Sequence, residues 1–424
     1  MQVLVVGSGG REHALAWKLS QSKHVRKVYI APGNAGTSLC GENVVIPAED
    51  IDGLKTFALA KRIDLTVVGP ELSLTLGIVD AFEAAGLKIF GPSKAASELE
   101  GSKAFSKDLM RRYNIPTAFY KKFDDYDQAC DYIETHKPPY VVKADGLAAG
   151  KGVYICATAR EAYSALDAMM RKKAFGSAGS KVVIEEFLTG EEASFLAITD
   201  GKTIVPLPAA QDHKAVFDND AGPNTGGMGA YSPAPVITET LAKDILDTVI
   251  HPAINALGAE GRPYAGVIYA GLMISGGKPK VLEFNCRFGD PETQPILMRL
   301  ESDLFELLLA ASERRLRDVT PVWSPRASVC VVMASGGYPG DYSKGSVISG
   351  LDEAAKIKDV MVFHAGTAAK GGKVVTNGGR VLGVTALGDT IKDAIGRAYE
   401  AAGVISWEGA HYRKDIGRKA LSRG

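Results

Sequence analysis

The first 90 residues alternate apolar, strand-like runs with amphipathic segments. The runs are "QVLVVG", "VRKVYIA", "DLTVVG" and "LKIFG", separated by segments such as "REHALAWKLSQ" and "GIVDAFEAAG". Because parallel strands need a crossover connection, usually a helix, this alternation predicts a parallel α/β sheet. A polar, helix-like stretch that ends at Pro116 follows, and it places a first domain boundary near residue 101.

Strand-like runs further along the chain mostly arrive in adjacent pairs, which indicates antiparallel sheets with helices packed outside. They are "PYVVKA", "VYICA", "KVVIEEFL", "ASFLAIT", "YAGVIYAGLMIS" and "PKVLEFN". A proline-rich turn, "PVWSPRAS", suggests a second break before a small α+β tail. The predicted domains are therefore residues 1–101, 102–325 and 326–424.

Composition excludes several classes of protein. The 424 residues exceed the size of one hydrophobic core. Lys plus Arg equals Asp plus Glu, at 49 each, which argues against nucleic-acid or membrane partners. The five cysteines form no CxxC pair, so a disulfide framework or zinc knuckle is not supported. With no signal-like start and no long apolar run, we expect a soluble, cytoplasmic protein.

A glycine turn, "VLVVGSGGREHA", ends the first strand and opens a helix, a geometry that presents backbone N–H groups to a phosphate. Glu12 stands where a dinucleotide fingerprint has its third glycine, so NAD is disfavoured. Alternatively, Gly7 and Gly9 serve the turn alone. Gly33 and Asn34 of "APGNAG" either form a turn or line the crevice at the carboxyl ends of the strands.

The stretch "VVKADGLAAGKGV" is not a P-loop, because only three residues separate its first two glycines and Gly152 follows Lys151. Strand alternation puts Lys143 on the same face as Val141. A buried lysine needs an anionic partner, although a single surface lysine can also extend to water. Together with Gly146, Gly150, Lys151 and Gly152, Lys143 forms a cation and flexible lid that suit a triphosphate.

The acidic stretch "KVVIEEFLTGEEASF" leaves two interpretations open. It is either a solvated acidic edge or a nucleotide hinge. In the hinge, the backbone at Glu186 and Leu188 binds an adenine edge and a later carboxylate accepts the ribose hydroxyls.

The stretch "KVLEFNCRFGDPETQ" carries the strongest chemical signal. Alternation predicts that Glu283 and Asn285 face one side and that Leu282, Phe284 and Cys286 face the other. Paired hard oxygen donors suit Mg²⁺ held with phosphate oxygens and water. One cation and two anions follow on the next turn: Arg287, Asp290 and Glu292. A structural salt-bridge cluster is the alternative there.

The stretch "QDHKAVFDNDAGPNTGGMGAYSP" reads as a long loop, which inside a compact domain is usually functional or disordered. Asp212, His213 and Lys214 at its start are candidate substrate contacts, although His213 alone is more typical of a structural histidine. The other histidines form no ligand-spaced pair, so neither a zinc site nor a Ser/His/Asp triad is supported.

Taken in order, these motifs resemble the ATP-grasp superfamily and, within it, the glycinamide ribonucleotide synthetase family over essentially the whole chain. "RFGDPETQ" joined to "NTGGMGAYSP" is the most specific match. The resemblance implies an N-terminal parallel-sheet (preATP-grasp) domain that binds substrate, an ATP-grasp domain with a mobile lid subdomain at about 118–188, and a C-terminal α+β domain.

The resemblance also implies a nucleotide and metal site. Lys103 and Lys143 would contact the phosphates under the lid residues Gly150, Lys151 and Gly152. Glu185, Glu186 and Leu188 would contact adenine, and Glu192, with Glu191 as a neighbouring candidate, the ribose. Glu283 and Asn285 would hold Mg²⁺, with Mn²⁺ as a substitute. "YAGLMIS" lacks the carboxylate that many superfamily members place there, which disfavours a second tightly held Mg²⁺.

The implied reaction is ATP-dependent ligation of glycine to 5-phosphoribosylamine through glycyl phosphate, in de novo purine biosynthesis. The catalytic set would be Arg287, Lys143 and Asp290. The substrate-binding set would be Gly9, Gly10, Arg11, Gly33, Asn34, Asp212, Lys214, Arg287 and Asp290. We expect a monomer or weak homodimer. The alternatives are another ATP-grasp carboxylate-amine ligase or carboxylase of nucleotide metabolism, and a nucleotide-binding module without turnover.

Overall fold

The computed structural model describes residues 1–148 and 151–422, and it begins with the predicted parallel sheet. The strand order is β3-β2-β1-β4-β5. The strands are β1 (Gln2–Gly7), β2 (Lys27–Pro32), β3 (Glu42–Asn43), β4 (Leu65–Val68) and β5 (Ile89–Phe90). The helices are α1 (Gly10–Ser20), α2 (Ile51–Lys61), α3 (Glu71–Leu76) and α4 (Ile78–Ala84), with a 3₁₀ turn at Thr37–Leu39.

The polar stretch after this sheet, predicted as one helical region, forms two helices. They are α5 (Lys94–Gly101) and α6 (Lys103–Arg112). Ser102 separates them, and its side-chain oxygen accepts a hydrogen bond from the Phe105 amide, so a new helix starts there. Because residues four apart share a helix face, α6 presents Lys103 and Lys107 to the same side.

Residues 120–186 build a four-stranded antiparallel sheet of order β6-β9-β7-β8. Its elements are β6 (Tyr120–Phe123), α7 (Tyr126–Thr135), β7 (Tyr140–Ala144), β8 (Val153–Cys156), α8 (Ala159–Leu166), a π-helical turn at Asp167–Arg171, a 3₁₀ turn at Gly176–Gly179 and β9 (Val182–Glu186). This unit has its own hydrophobic core, from Phe123 to Ile184. A separate core supports the predicted lid subdomain, whose motion stays a prediction.

A second antiparallel sheet has the order β11-β10-β16-β17. Its strands are β10 (Glu191–Thr199), β11 (Ile204–Pro206), β16 (Gly266–Ser275) and β17 (Lys278–Asn285), and it packs with α9 (Glu239–Ile245), a π-helical turn at Leu246–Ile250 and α10 (His251–Ala259). One hydrophobic cluster includes both Leu4 of β1 and Phe284 of β17. The N-terminal sheet and this sheet therefore share a core.

The remaining sheet, of order β12-β15-β18-β22-β19, combines the tail with earlier residues. Its strands are β12 (Gln211–Asp212), β15 (Gly229–Ser232), β18 (Ala327–Ala334), β19 (Val360–His364) and β22 (Arg380–Gly388). Two hairpins accompany it, β13 (Ala215–Phe217) with β14 (Ala221–Asn224) and β20 (Thr367–Lys370) with β21 (Lys373–Thr376). The helices are α11 (Thr293–Arg299), α12 (Leu304–Ser312), α13 (Leu351–Ala354), α14 (Ile391–Val404) and α15 (Arg418–Leu421), with 3₁₀ turns at Asp218–Asp220 and Leu316–Asp318.

The predicted long loop at 211–233 is wrong, because this stretch contains four short strands. Gly229 of β15 pairs with Val331 of β18, about 100 residues further along the chain. A glycine-rich strand carries little local signal, and its partner is distant in sequence. The sheet thus crosses the predicted boundary at 325/326.

Among the described residues, no helix is both long and apolar enough to cross a membrane.

Candidate active site

A cavity of about 400 Å³ lies between the sheet β6-β9-β7-β8 and the sheet β11-β10-β16-β17. Helix α6 contributes to one wall, and Arg380 of β22 reaches it from the tail. This volume suits a small-molecule ligand. Most of the residues singled out in the sequence meet here.

Strand β7 presents Lys143 to the cavity as predicted. Val141 and Lys143 line the cavity, whereas Val142 and Ala144 belong to the core on the other face. The Lys143 side chain is only 7 % exposed. Because a buried ammonium needs anionic or polar partners, its surroundings decide what it can do.

Two ammonium groups therefore enter the cavity from different elements. Lys143 Nζ donates to the carbonyl of Leu282 at 3.0 Å, and Lys103 Nζ donates to the carbonyl of Gly146 at 3.2 Å. Burial lowers the pKa of Lys103, whereas the nearby Glu283 carboxylate raises it. Neutral carbonyls are weak partners for a cation, so Lys103 is available to a phosphate. Lys143 also pairs with the Glu185 carboxylate, which a phosphate would have to replace.

Glu185 lies between two lysines. Its Oε1 is 2.9 Å from Lys143 Nζ, and its Oε2 is 2.9 Å from Lys107 Nζ. The carboxylate lines the cavity, but its charge is engaged by the protein. The predicted contact of Glu185 with adenine stays a prediction.

The end of β9 forms the edge predicted as a nucleotide hinge. The Glu186 carboxylate accepts hydrogen bonds from the Phe119 amide at 3.0 Å and from Lys280 Nζ at 3.1 Å, in an exposed setting. The Glu186 amide donates to the Phe119 carbonyl at 3.0 Å, so a base contact would use the Glu186 carbonyl. Leu188 lines the cavity next to it.

The two carboxylates at the start of β10 point in different directions. Glu192 lines the cavity and pairs with Lys214 Nζ at 2.9 Å. Glu191 is not among the cavity-lining residues, and its Oε1 accepts from Gln211 Nε2 at 2.9 Å. Of these two candidates for a ribose, the geometry favours Glu192.

Asp212 and Lys214 line the same part of the cavity. Burial raises the pKa of Asp212 to about 7, against the lowering effect of the Lys214 ammonium. Burial also lowers the pKa of Lys214, but the Glu192 and Asp212 carboxylates overcome this and raise it well above its usual value. His213, between them, is buried without a hydrogen bond to either ring nitrogen from a described residue, and burial lowers its pKa to about 4.

Glu283 and Asn285 line the cavity together, as predicted. Within the described chain, no hydrogen bond or ion pair engages the Glu283 carboxylate. Burial raises its pKa, but Lys214, Lys143 and other nearby cations lower it more. Asn285 Oδ1 accepts one hydrogen bond, from Arg287 Nη2 at 3.1 Å. An ionised carboxylate without a protein partner beside an amide oxygen fits a hard divalent cation.

Leu282 departs from the predicted alternation. Gly271 pairs with Glu283 and Leu272 with Val281, so Leu282 is an extra, unpaired residue in β17. Because a bulge interrupts the two-residue period, Leu282 borders the cavity with Glu283. The expectation that it faces the opposite side is wrong.

Arg287 is held by two acidic residues from the N-terminal part of the chain. Its Nη2 is 2.8 Å from Glu100 Oε1, and its Nε is 3.2 Å from Glu71 Oε2. Burial alone would lower the pKa of Arg287, but Glu100 and Glu71 raise it. Arg287 lies in the cavity as a fixed cation, and its proposed contact with the glycine carboxylate stays a prediction.

Asp290 lies where three parts of the chain meet. Its Oδ1 accepts from Gln294 Nε2 at 3.1 Å and is 3.5 Å from Arg380 Nη1. Its Oδ2 accepts from the Arg11 amide at 3.4 Å. Arg380 also donates to the carbonyl of Asp290 at 2.8 Å, so the tail fixes this turn.

Glu292 borders the cavity, but its carboxylate is engaged in hydrogen bonds to buried side chains of the protein. Its Oε1 accepts from Tyr269 Oη at 2.5 Å and from Ser194 Oγ at 3.0 Å, and the residue is 2 % exposed.

Of the residues predicted to bind the ribose phosphate, only Arg11 lines this cavity. Gly9 precedes α1 and Gly10 is the first residue of that helix; the Gly9 amide donates to Glu12 Oε2 at 2.5 Å. The Glu12 side chain thus occupies an amide that a dinucleotide phosphate would use, which explains its place in the motif.

Gly33 and Asn34 lie outside the cavity as well. Gly33 adopts a positive φ of 72°, as a turn requires. Asn34 Nδ2 donates to the carbonyls of Ser8 and His364, each at 2.8 Å, and Asn34 Oδ1 accepts from the amides of Gly36 and Thr37. The Asn34 side chain is therefore engaged in joining the N-terminal sheet to the tail.

The lid residues have different positions. Gly152 lines the cavity, and Lys151 Nζ donates to the carbonyl of Pro339 at 3.0 Å, outside it. Gly150 lies outside the described residues.

Sequence reasoning missed several residues of the cavity: Glu71, Glu100, Lys107 and Arg380. Lys107 was detectable, because it lies four residues after Lys103 in a predicted helix. The other three come from distant segments and carry no local signal.

Comparison with known proteins agrees with this architecture. Three family models match, described as the N domain of phosphoribosylglycinamide synthetase at residues 1–100, its ATP-grasp (A) domain at 101–293 and its C domain at 328–419. A phosphoribosylamine–glycine ligase of Vibrio vulnificus strain YJ016 is 57 % identical over 426 residues, which cover 100 % of this chain and 99 % of that protein.

Solved structures give the same result. A crystal structure of phosphoribosylamine–glycine ligase from Thermotoga maritima has a TM-score of 0.83 and 35 % identity, covering 98 % of this chain and 100 % of that one. The biotin carboxylase domain of a 2-oxoglutarate carboxylase from Hydrogenobacter thermophilus, solved with MgADP and bicarbonate, has a TM-score of 0.73 and 15 % identity, covering 97 % of this chain and 91 % of that one, so it shares the fold alone. The predicted resemblance and fold class are confirmed: the chain belongs to the phosphoribosylglycinamide synthetase family.

Proposed function

We propose that this protein ligates glycine to 5-phosphoribosylamine with ATP, giving glycinamide ribonucleotide, ADP and phosphate in purine biosynthesis. Full-length similarity to phosphoribosylamine–glycine ligases supports the reaction. The main structural support is that Lys103 and Lys143 line the same cavity as Glu283 and Asn285, although they come from different elements.

The nucleotide would lie between the two antiparallel sheets. Its phosphates would meet Lys103 and Lys143, its base would pack near Glu186 and Leu188, and its ribose hydroxyls would donate to Glu192. The Glu192–Lys214 ion pair supports this, because it holds the carboxylate at the cavity wall.

A divalent cation would be held by Glu283 and Asn285. When bound, Mg²⁺ neutralises developing charge on the transferring phosphoryl group and orients it. Among the described residues, nine acidic and seven basic side chains line the cavity, so a polyanionic nucleotide needs cations brought with it. The same oxygen donors could also coordinate Mn²⁺.

In the first step, an oxygen of the glycine carboxylate attacks the γ-phosphorus of ATP and ADP leaves, forming glycyl phosphate. We assign Arg287 to hold the carboxylate and acyl phosphate, because its guanidinium is fixed by Glu100 and Glu71 and cannot lose its charge. Asp290 and Asp212 are the carboxylates available for the glycine ammonium.

In the second step, the amine nitrogen of phosphoribosylamine attacks the acyl carbon, phosphate leaves with its bridging oxygen, and the nitrogen loses a proton. Arg11 lines the cavity and its backbone amide donates to Asp290, which supports placement of the amine substrate near Asp290. We also propose that the enzyme is a monomer or a weak homodimer and that it is cytoplasmic.

The test is phosphate release from ATP and Mg²⁺ with glycine and freshly generated phosphoribosylamine, omitting each in turn. Release that requires both substrates, with glycinamide ribonucleotide detected by mass, supports the assignment. Release without glycine would refute it, and dependence on bicarbonate instead would favour a carboxylase.

A further inference from the structure

Lys107 forms a buried ion pair that the chemistry above does not use. Lys107 Nζ is 2.9 Å from Glu185 Oε2, and Lys143 Nζ is 2.9 Å from Glu185 Oε1. The three side chains are 3 %, 2 % and 7 % exposed for Lys107, Glu185 and Lys143. One buried carboxylate is thus shared by two ammonium groups.

The two lysines are held differently. Lys107 Nζ also donates to Thr117 Oγ1 at 2.7 Å, and that hydroxyl donates to the Val281 carbonyl at 2.6 Å, so a chain of hydrogen bonds anchors it. Lys143 Nζ also has a second partner, the Leu282 carbonyl at 3.0 Å, but its ion pair with Glu185 is the less complete one, since Glu185 Oε1 accepts no hydrogen bond from a described residue. Lys143 is therefore the partner that can leave.

Departure of Lys143 towards a phosphate changes the charge balance around Glu185. A buried carboxylate that loses its cation is costly, and it takes up a proton instead. Lys107 remains at 2.9 Å and prevents this. We propose that Lys107 is a positioning residue that balances the charge of Glu185 when Lys143 moves to the phosphates of a bound nucleotide.

The other charged groups that face this pair do not replace Lys107. Glu283 on β17 acts on Lys107 over a longer range, and Lys103, one turn earlier on α6, acts on Lys143. Both would be engaged by the ligand, Lys103 by phosphate and Glu283 by a divalent cation. Burial lowers the pKa of Lys107 to about 8, against the raising effect of Glu185, so Lys107 is cationic at pH 7.

The inference rests on the nucleotide-binding part of the proposed function, and its test uses ADP with Mg²⁺ alone. Calorimetric titration at pH 7.0, in two buffers of different ionisation enthalpy, gives both the Kd of ADP and the protons taken up per ADP bound. The proteins are wild type, Lys107→Met, Lys107→Arg, Glu185→Gln and the double variant Lys107→Met with Glu185→Gln.

We expect Lys107→Met to raise the Kd at least about tenfold and to add up to about one proton per ADP bound. Lys107→Arg should do neither, because it keeps the charge. The double variant should show no added proton, and its Kd should lie within about twofold of that of Glu185→Gln. Lys122→Met, at an exposed lysine that pairs with Asp108, is the matched control and should match wild type.

The proposal would be overturned if Lys107→Met took up no more protons per ADP bound than wild type. It would also be overturned if the effects of Lys107→Met and Glu185→Gln on the Kd of ADP added up in the double variant. If Lys107→Met does not fold, the double variant provides the test, because it leaves no uncompensated carboxylate. A Kd of ADP for the double variant tenfold above that of Glu185→Gln would then refute the inference. No ADP binding by wild type would refute the proposed function itself, whereas failure of glycine-dependent turnover would leave this test intact.

Discussion

Replacing Glu283 by glutamine tests the metal site, because the change keeps the side-chain shape and removes one charge. Glu283 has no hydrogen-bonding or ion-pair partner among the described residues, and it faces the cations of Lys214 and Lys143 in the cavity. Its ionised oxygens are thus free for a ligand cation. Loss of the charge should weaken metal binding more than it weakens the fold.

The size of the effect follows from the coordination. Substituting even an outer partner of a metal ligand typically costs about 10–100-fold in affinity or activity. Loss of a direct carboxylate ligand should therefore raise the Mg²⁺ concentration for half-maximal activity at least about 100-fold, or about 2.7 kcal/mol. Removing one electrostatic element of a transition state costs about 10²–10³ in kcat, and we expect a similar loss here.

The assay is a Mg²⁺ titration of glycine-dependent phosphate release at saturating ATP. Glu42→Gln, at an exposed glutamate that pairs with Lys27, is the control for removing one negative charge. A Glu283→Gln enzyme whose Mg²⁺ dependence and kcat stay within twofold of wild type would refute the assignment.

The same variant makes a prediction for stability. Burial alone would raise the pKa of Glu283, but the surrounding cations outweigh this effect and bring the pKa below its usual value of 4.5. A carboxylate whose pKa is lower in the folded state stabilises the protein above its unfolded pKa, and the contribution is lost as pH falls through the folded pKa. Without ligands, Glu283→Gln should thus unfold more readily than wild type at pH 7, with the difference shrinking below pH 4.5.

Three further changes are informative. Lys143→Met should lower kcat on the order of 10²–10³-fold with little change in far-UV circular dichroism, and a near-normal rate would contradict its phosphate role. Asp212→Asn should flatten the pH profile of kcat. The raised pKa of about 7 makes the wild-type carboxylate ionise between pH 6 and 8, so wild-type activity should rise over that range. An identical profile in the variant would exclude a role for the Asp212 charge. Arg413, 1 % exposed, pairs with Asp220 at 3.0 Å and with Asp415 at 2.8 Å, and Asp220 is 43 % exposed and also pairs with Lys419. Arg413→Met should therefore cost about 1.5–3 kcal/mol in urea unfolding, and a loss below about 0.5 kcal/mol would show that these pairs do not stabilise the fold.

Much of the fold follows from local sequence patterns. Strong apolar alternation gave the parallel sheet, the paired antiparallel strands and the face on which Lys143 lies. Where the period is broken, prediction fails: the extra residue Leu282 carries no sequence mark, because a bulge depends on the neighbouring strand.

The candidate site is less predictable than the fold. Glu283 and Asn285 are close in sequence and share a strand, so their joint position could be deduced. By contrast, the Arg287 pairs with Glu71 and Glu100 join residues about 190–220 positions apart. Gly33 and Asn34 illustrate the opposite case: the sequence motif suggested a ligand contact, which stays a prediction, whereas the structure shows the Asn34 side chain joining two parts of the protein.

Strand β15, residues 229–232, has β18, residues 327–334, as its neighbour in the sheet. During synthesis it must wait for roughly 100 more residues to leave the ribosome before that edge is covered. A fragment ending at residue 325 would expose an open strand edge, a template for pairing with other chains and hence for aggregation. Expression of the nucleotide-binding part alone therefore requires that the β18 segment stay attached or be supplied as a peptide.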